Sequence, residues 1–282
     1  MAWTADPRDL LAVGPDFELA ALDRRATPGW EDGKKAGNKY RAKRGERMGD
    51  LQEKLFANGR TGVDRSVLLV VQGLDTAGKG GIARHVAGMV DPQGLSIHSF
   101  GPPTKEELSH HYLWRIRKAL PDAGKIGVFD RSHYEDVLVV RVKELTDVDW
   151  NERFEEINRF EQKLVDDGTT IIKVALKISY EEQAERLMSR LNRPDKHWKY
   201  STSDLITRSH WYEYQAAYQD MLVNTSTDAA PWYAIPADRK WYARLSVAEI
   251  LTRTLKSMDL RWPLADFDPE EEKERLRASM ND

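Results

Sequence analysis

Gly73-Leu74-Asp75-Thr76-Ala77-Gly78-Lys79-Gly80-Gly81 is the stretch on which the fold of this chain turns. An apolar run before it, Val67-Leu68-Leu69-Val70-Val71, reads as a buried strand. Ile82 to Val90 follows with helical apolar spacing and no breaker except Gly88. A strand, a glycine-rich loop with lysine and then a helix form the context of a P-loop. Its glycines let backbone N–H groups close around phosphate oxygens, and the helix N-terminus adds its positive end. Lys79 would bring a mobile charge to the phosphates being moved, with Gly73, Ala77, Gly78, Gly80 and Gly81 shaping the cradle.

The loop departs from the usual pattern at one position. Ser or Thr normally follows the lysine and offers a hydroxyl to Mg²⁺; here that position is Gly80. A carboxylate, Asp75, sits inside the loop instead, and Mg²⁺ accepts a few carboxylates completed by water and phosphate oxygens. The plainer alternative is that Asp75 caps the turn.

Composition sets the remaining limits. The 282 residues suffice for one large α/β domain or two small ones, and 40% hydrophobic content supports a sizeable core. A net charge of −3 predicts no bulk attraction to nucleic acid or to an anionic membrane, so a polyanion would need a local basic patch. With no cysteine, thiolate chemistry and cysteine metal sites are excluded. Met1-Ala2-Trp3-Thr4-Ala5-Asp6 lacks the regions of a signal peptide and no run reaches a membrane span, so a soluble cytoplasmic protein is expected.

Residues 1–30 read as an irregular arm, residues 31–262 as the main domain, and residues 263–282 as a charged, frayed tail. Glu31 to Gly59 is a helix whose bases, Lys39 and Lys43 among them, form either a solvated face or a phosphate-binding rim. Further strands are expected at Leu95–Phe100, Ile126–Phe129, Thr170–Ile178 and Trp232–Ile235. Thr104-Lys105-Glu106-Glu107 has capping-box form and opens a helix running through Leu120. Helices are also expected at Glu135–Val142, Trp150–Val165, Glu181–Leu191, Ser203–Val223 and Leu245–Leu255. Their alternation with strands predicts a three-layer α/β/α sandwich with a mainly parallel five-stranded sheet. His110 and His111 lack partners at zinc-ligand spacing.

Asp130 ends the Ile126–Phe129 strand, where P-loop enzymes place a second Mg²⁺-associated carboxylate. Arg131 follows, with a planar guanidinium suited to phosphoryl oxygens. The alternative for this pair is a loop brace. Pro194 breaks a basic segment holding Arg186, Arg190, Arg193, Lys196 and Lys199, so residues 186–204 or so read as a lid that closes on phosphates. Trp198 is expected to pack that lid against the body, and Trp211, Tyr212, Tyr214 and Tyr218 form an aromatic stripe expected in the core.

The P-loop, then Phe129-Asp130-Arg131-Ser132-His133-Tyr134, then Lys196-His197-Trp198-Lys199 together resemble the family-2 polyphosphate kinases, P-loop enzymes akin in structure to thymidylate kinase. The resemblance spans about Lys34 to Leu255. It implies phosphate transfer between inorganic polyphosphate and nucleotides, with Asp75 and Asp130 holding Mg²⁺ (Mn²⁺ as its substitute) and orienting the attacking phosphate. Lys79 and Arg131 would carry charge on the transferred group, Arg190 and the lid bases would close over it, and Lys39 and Lys43 would line a polyphosphate channel. Glu135-Asp136-Val137-Leu138-Val139-Val140 looks like the subclass acting on both AMP and ADP, where the ADP subclass more typically has Asn for Glu135. Glu135 therefore becomes a candidate acceptor selector. Asn192 and Arg193 depart from the acidic residues expected in the lid. The family also implies a homo-oligomer. Two rivals remain at this stage: an ATP-dependent nucleoside monophosphate kinase, and a non-catalytic nucleotide- or RNA-binding module.

Overall fold

The structure is a computed structural model describing residues 3–280; Met1, Ala2, Asn281 and Asp282, the ends of the expected arm and tail, lie outside the described residues. Five parallel strands, β1 (Ser66–Gln72), β2 (Leu95–Ser99), β3 (Ile126–Asp130), β4 (Thr169–Lys177) and β5 (Trp232–Pro236), stand in the order β2-β3-β1-β4-β5. β1 is buried along its whole length, as expected of a central parallel strand covered on both faces. Val67, Leu69 and Val71 face one core layer with Met48, Ile82 and Ile250; Leu68 and Val70 face the other with Phe129, Ile157 and Trp232. Helices therefore cover both faces, and the three-layer α/β/α expectation holds.

The chain begins with α1 (Pro7–Leu11), capped by Asp6, whose side chain accepts from Arg8 N–H. The arm is less loose than its sequence implies. Trp3 and Trp30 are buried against Tyr242 and Leu245, and Ala12 bridges β5 at Tyr233. α2 (Lys34–Arg60) lies along α10 (Lys240–Ser257), so closely at Gly37 that a Cβ there would stand 2.9 Å from the Trp241 ring. Arg44 of α2 seals this contact on the buried Glu249 at 2.7 Å.

Several expected helices are shorter than their apolar spacing. α3 (Lys79–His85) stops before a 3-10 turn at Ala87–Met89. The capping box at Thr104 forms, but its helix splits into α4 (Lys105–Leu108) and α5 (Leu113–Lys118). Ser109, His110 and His111 interrupt it: Ser109 bonds back to Glu106 O, His110 stacks on Trp114 and His111 meets Glu156. Asp136–Val140 is a short π-helical turn, followed by α6 (Trp150–Asp166) and α7 (Tyr180–Leu191). Ser203–Val223 is two helices, α8 (Ser203–Ser209) and α9 (Trp211–Thr225), with the Ser209 hydroxyl returned to Ile206 O at the break.

The tail carries an ordered helix, α11 (Pro269–Ser279), where fraying was expected. Asp268 caps two N–H groups, Pro269 opens the first turn, and Arg275 pairs with Glu271 and Glu272 one turn back. No helix among the described residues is long and apolar enough to cross a membrane.

Candidate active site

β1 and β3 are neighbours in register, so Val71 pairs with Asp130 and the two loops that follow them leave the sheet side by side. This is the crevice at the strand carboxyl ends where parallel α/β sheets bind ligands. The first loop is the P-loop, whose backbone needs its glycines at two places. Gly78 has φ +117°, and a Cβ on Gly73 would stand 2.9 Å from Leu176 O. Two larger residues also occupy the left-handed region, Thr76 (φ +69°) and Arg131 (φ +66°). Left-handed backbone at a non-glycine residue on both loops marks a constrained site.

Five expected residues share one electrostatic cluster. Arg131 holds Asp75 Oδ1 at 2.9 Å and lies 3.9 Å from Glu135. Burial works against the Arg131 charge, but Glu135, Asp75 and Asp130 outweigh it and raise its pKa. Burial lowers the pKa of Lys79, with Asp75 the strongest opposing influence. Burial raises the pKa of Glu135, with Arg131 the first to resist it. The buried Gln72 amide, in the orientation that satisfies both ends, donates to Glu135 Oε1 (3.1 Å) and accepts from Ser132 N–H (3.2 Å). The end of β1 thereby fixes the turn after β3.

Asp75, Arg131, Ser132 and Glu135 line a cavity of about 650 Å³, while Lys79 and Asp130 lie outside its lining. Gly73, Asp75, Arg131 and Glu135 form its end at the P-loop; Pro102, Tyr112, Leu138 and Tyr214 supply more apolar wall, and Ser203 and Thr207 of α8 close one side. Under the loop after β3 lies a fully buried network. Glu161 accepts from Tyr134 OH (2.8 Å), Lys173 Nζ donates to Glu161 Oε2 (2.5 Å), and His133 Nε2 stands 3.2 Å from Glu161 Oε1.

The expected lid bases are elsewhere. Arg186 is engaged by main-chain carbonyls of the P-loop and of the segment after β5. Arg190 holds Lys199 O (2.9 Å) and Asp204 (3.3 Å). Arg193 and Lys196 both pair with Asp195, and Lys199 lies over the Trp198 ring. None of these five lines the cavity, because acceptors within the lid and the loop hold four of them and the fifth stacks on Trp198. Trp198 itself is 77% exposed and does not pack the lid on the body. Of the aromatic stripe, Trp211, Tyr214 and Tyr218 are buried while Tyr212 is 83% exposed.

On the other side of the P-loop helix is a basic group that the sequence reading did not single out. Arg244 of α10 lies against Gly81, where a Cβ would stand 3.4 Å from its Nη2. Burial lowers the Arg244 pKa, and Arg41, Arg186 and Arg84 lower it further. Burial likewise depresses Arg41, which donates to His85 O (3.2 Å). These cations repel one another around Arg244, while Glu46, Asp50, Glu53 and Asp91 line the cleft beside Arg41 and Arg84. Lys39 and Lys43 stand exposed on α2 near Arg41. The available signal was spacing: Lys240 and Arg244 are four residues apart on one helix, as are Lys39 and Lys43.

The carboxylates suit a particular kind of metal. No group of three or more His, Cys, Asp or Glu residues is arranged to hold an ion among the described residues. Asp75 and Asp130 offer oxygen ligands beside the phosphate loop, the donor set of an ion that completes its shell with water and substrate phosphate.

Comparison with known proteins agrees with this geometry. Residues 32–263 match the family Polyphosphate kinase 2 (PPK2). An AMP/ADP-polyphosphate phosphotransferase of Meiothermus ruber is 44% identical over 254 residues, 89% of this chain and 94% of that protein. An ADP-polyphosphate phosphotransferase of Rhodopseudomonas palustris is 40% identical over 82% of this chain and 83% of its own length. The crystal structure of polyphosphate kinase 2 from Arthrobacter aurescens TC1 superposes with a TM-score of 0.96 at 46% identity, covering 99% of both chains. With a P-loop that carries its own carboxylate, and with family and relatives matched over most of its length, this chain belongs to the polyphosphate kinase 2 family.

Proposed function

We propose that the protein moves the terminal phosphate between inorganic polyphosphate and adenine nucleotides, carrying AMP to ADP and ADP to ATP. The observation that carries this reading is the position of the P-loop. On one side stand the mutually repelling Arg41, Arg84 and Arg244; on the other lies the cavity with Asp75, Arg131 and Glu135 at its end. A polyanion supplies countercharge to Arg244, on which only other arginines bear, and a single nucleotide suits the second side. Lys39 and Lys43 extend the basic rim along α2.

In the forward step an acceptor phosphate oxygen attacks the terminal phosphorus of the chain. The P–O bond to the penultimate phosphate breaks, and the chain leaves one unit shorter. Asp75 and Asp130 would hold a divalent cation, Mg²⁺ with Mn²⁺ as its substitute, which would supply neutralisation of phosphate charge. Arg131, kept charged by three carboxylates, and Lys79 bear on the transferred group. No protein nucleophile is needed, because positioning and charge stabilisation suffice for this transfer. Glu135, tied between Gln72 and Arg131, sets acceptor choice between AMP and ADP. Arg190, Arg193, Lys196 and Lys199 approach the phosphates when the lid closes over both substrates.

A donor exchange tests the reading. With AMP as acceptor and Mg²⁺ present, polyphosphate supports ADP formation and ATP does not replace it. Turnover with ATP and AMP but none with polyphosphate would make the protein an ATP-dependent nucleoside monophosphate kinase. Glu135→Asn should shift the AMP-to-ADP activity ratio, and an unchanged ratio removes Glu135 from acceptor selection.

A further inference from the structure

A P-loop meets phosphate by turning N–H groups inward, and its peptide planes then turn carbonyls outward. Buried carbonyls need donors. Here side chains reach every carbonyl from Gly73 to Ala77. Lys79 Nζ donates to Gly73 O at 2.7 Å and, at a long 3.5 Å, to Leu74 O. Gln183 Nε2 stands 3.5 Å from Asp75 O. Arg186 Nη1 donates to both Thr76 O (2.9 Å) and Ala77 O (3.1 Å).

The rest of the Arg186 fork is also committed. Nη2 donates to Ala237 O (2.6 Å) and Asp238 O (2.9 Å) beyond β5, and Nε donates to Glu182 (2.7 Å). All five donors of the guanidinium are thus engaged, on a side chain only 5% exposed. Thr76 holds a left-handed conformation that a β-branched residue adopts at a penalty, and its carbonyl is one of those the fork grips. Gln183 lies one turn before Arg186 on α7, so one helix face serves the carbonyls of Asp75, Thr76 and Ala77.

We propose that Arg186 is a positioning residue. It clamps the Thr76–Ala77 turn to the segment after β5, so that the P-loop N–H groups face polyphosphate, and it touches no substrate. This rests on the reading that the P-loop meets the polyphosphate donor. Lysine cannot take its place, because three donors on one nitrogen cannot serve the five acceptors that the planar fork reaches.

The test uses the full chain, wild type, Arg186→Lys and Gln183→Ala, with rates measured against polyphosphate and against AMP separately. Arg186→Lys should raise KM for polyphosphate on the order of tenfold, while KM for AMP moves by less than about twofold. Gln183→Ala should move the polyphosphate KM in the same direction by a smaller factor. The rise in Tm that polyphosphate gives the wild type should shrink in Arg186→Lys. A lysine variant with the wild-type polyphosphate KM shows that charge alone suffices and overturns the proposal. A lower kcat with both KM values unchanged marks a merely structural role and also overturns it. If Arg186→Lys fails to fold, an unchanged polyphosphate KM in Gln183→Ala overturns it. A wild type that neither turns over nor is stabilised by polyphosphate refutes the proposed function instead, and this inference falls with it.

Discussion

Replacing Lys173 by methionine tests how the loop after β3 is held. The Lys173 ammonium is fully buried and donates to Glu161 Oε2 (2.5 Å), Tyr134 OH (2.8 Å) and Thr225 O (2.7 Å). Glu161 in turn meets His133 and Tyr134, the two residues between Ser132 and Glu135. This charge pair is therefore the floor of the loop that presents Arg131 and Glu135. Burial opposes the Glu161 carboxylate, and Lys173 is the first of the groups that outweigh it and hold its pKa low. Methionine fills similar space but leaves that carboxylate without its countercharge. Removing one member of a buried pair destabilises by about 3–5 kcal/mol. A chain of 282 residues has an unfolding entropy near about 0.6 kcal/mol/K, so Tm should fall by about 5–8 °C. Urea and thermal unfolding measure this directly. The double variant Lys173→Met/Glu161→Gln, which removes the stranded charge, should recover at least about half of the loss. A single-variant loss below about 1 kcal/mol would refute the assignment of this pair as the floor of the loop.

Glu135 gives a prediction in pH. Its folded pKa is raised, so the folded protein binds that proton more tightly than the unfolded chain, and the charged carboxylate costs stability at pH above the folded value. Glu135→Gln should therefore be more stable than wild type at neutral pH, with the gap closing as pH falls through the folded pKa; a gap that widens towards acid contradicts this. Lys79→Ala and Asp130→Asn should each reduce turnover by about a hundredfold or more with little change in Tm, since both act on developing charge. Near-normal rates in either variant would remove its assigned role. Gly80 has open space where a Cβ would go, so Gly80→Ser should fold normally and bring back the hydroxyl that ordinary P-loops carry. In an Asp75→Ala background it should restore part of the Mg²⁺-dependent rate; no recovery argues against Asp75 standing in for that hydroxyl.

The sheet was legible because four of its strands are compact apolar runs and the fifth, β2, alternates apolar and polar residues, each bounded by turn residues, and β1 and β3 pair in parallel so that Val71 meets Asp130. The P-loop and the Asp130-Arg131 pair were legible because chemistry there demands particular residue types in local order. Other parts depend on contacts that local text does not encode. Arg186, Arg190 and Arg193 look alike as members of a basic run, yet the first is buried among carbonyls and the last is exposed beside Asp195. Arg244 stands on a helix more than 150 residues after the P-loop and reaches Gly81 only through the fold. The buried Glu161–Lys173 pair carries charge at positions where apolar residues were expected, and only its partners explain it. The tail helix was missed for a different reason. Its stability comes from a cap and close ion pairs, signals that were present in Asp268-Pro269 and in the Glu271 to Arg275 spacing.

The most direct test of the central claim is a time course of purified protein with Mg²⁺, long-chain polyphosphate and AMP, with nucleotides separated by chromatography. ADP appearing first and ATP after it is the result predicted for a polyphosphate-driven enzyme that accepts both nucleotides. Absence of product from AMP and from ADP under these conditions would contradict it.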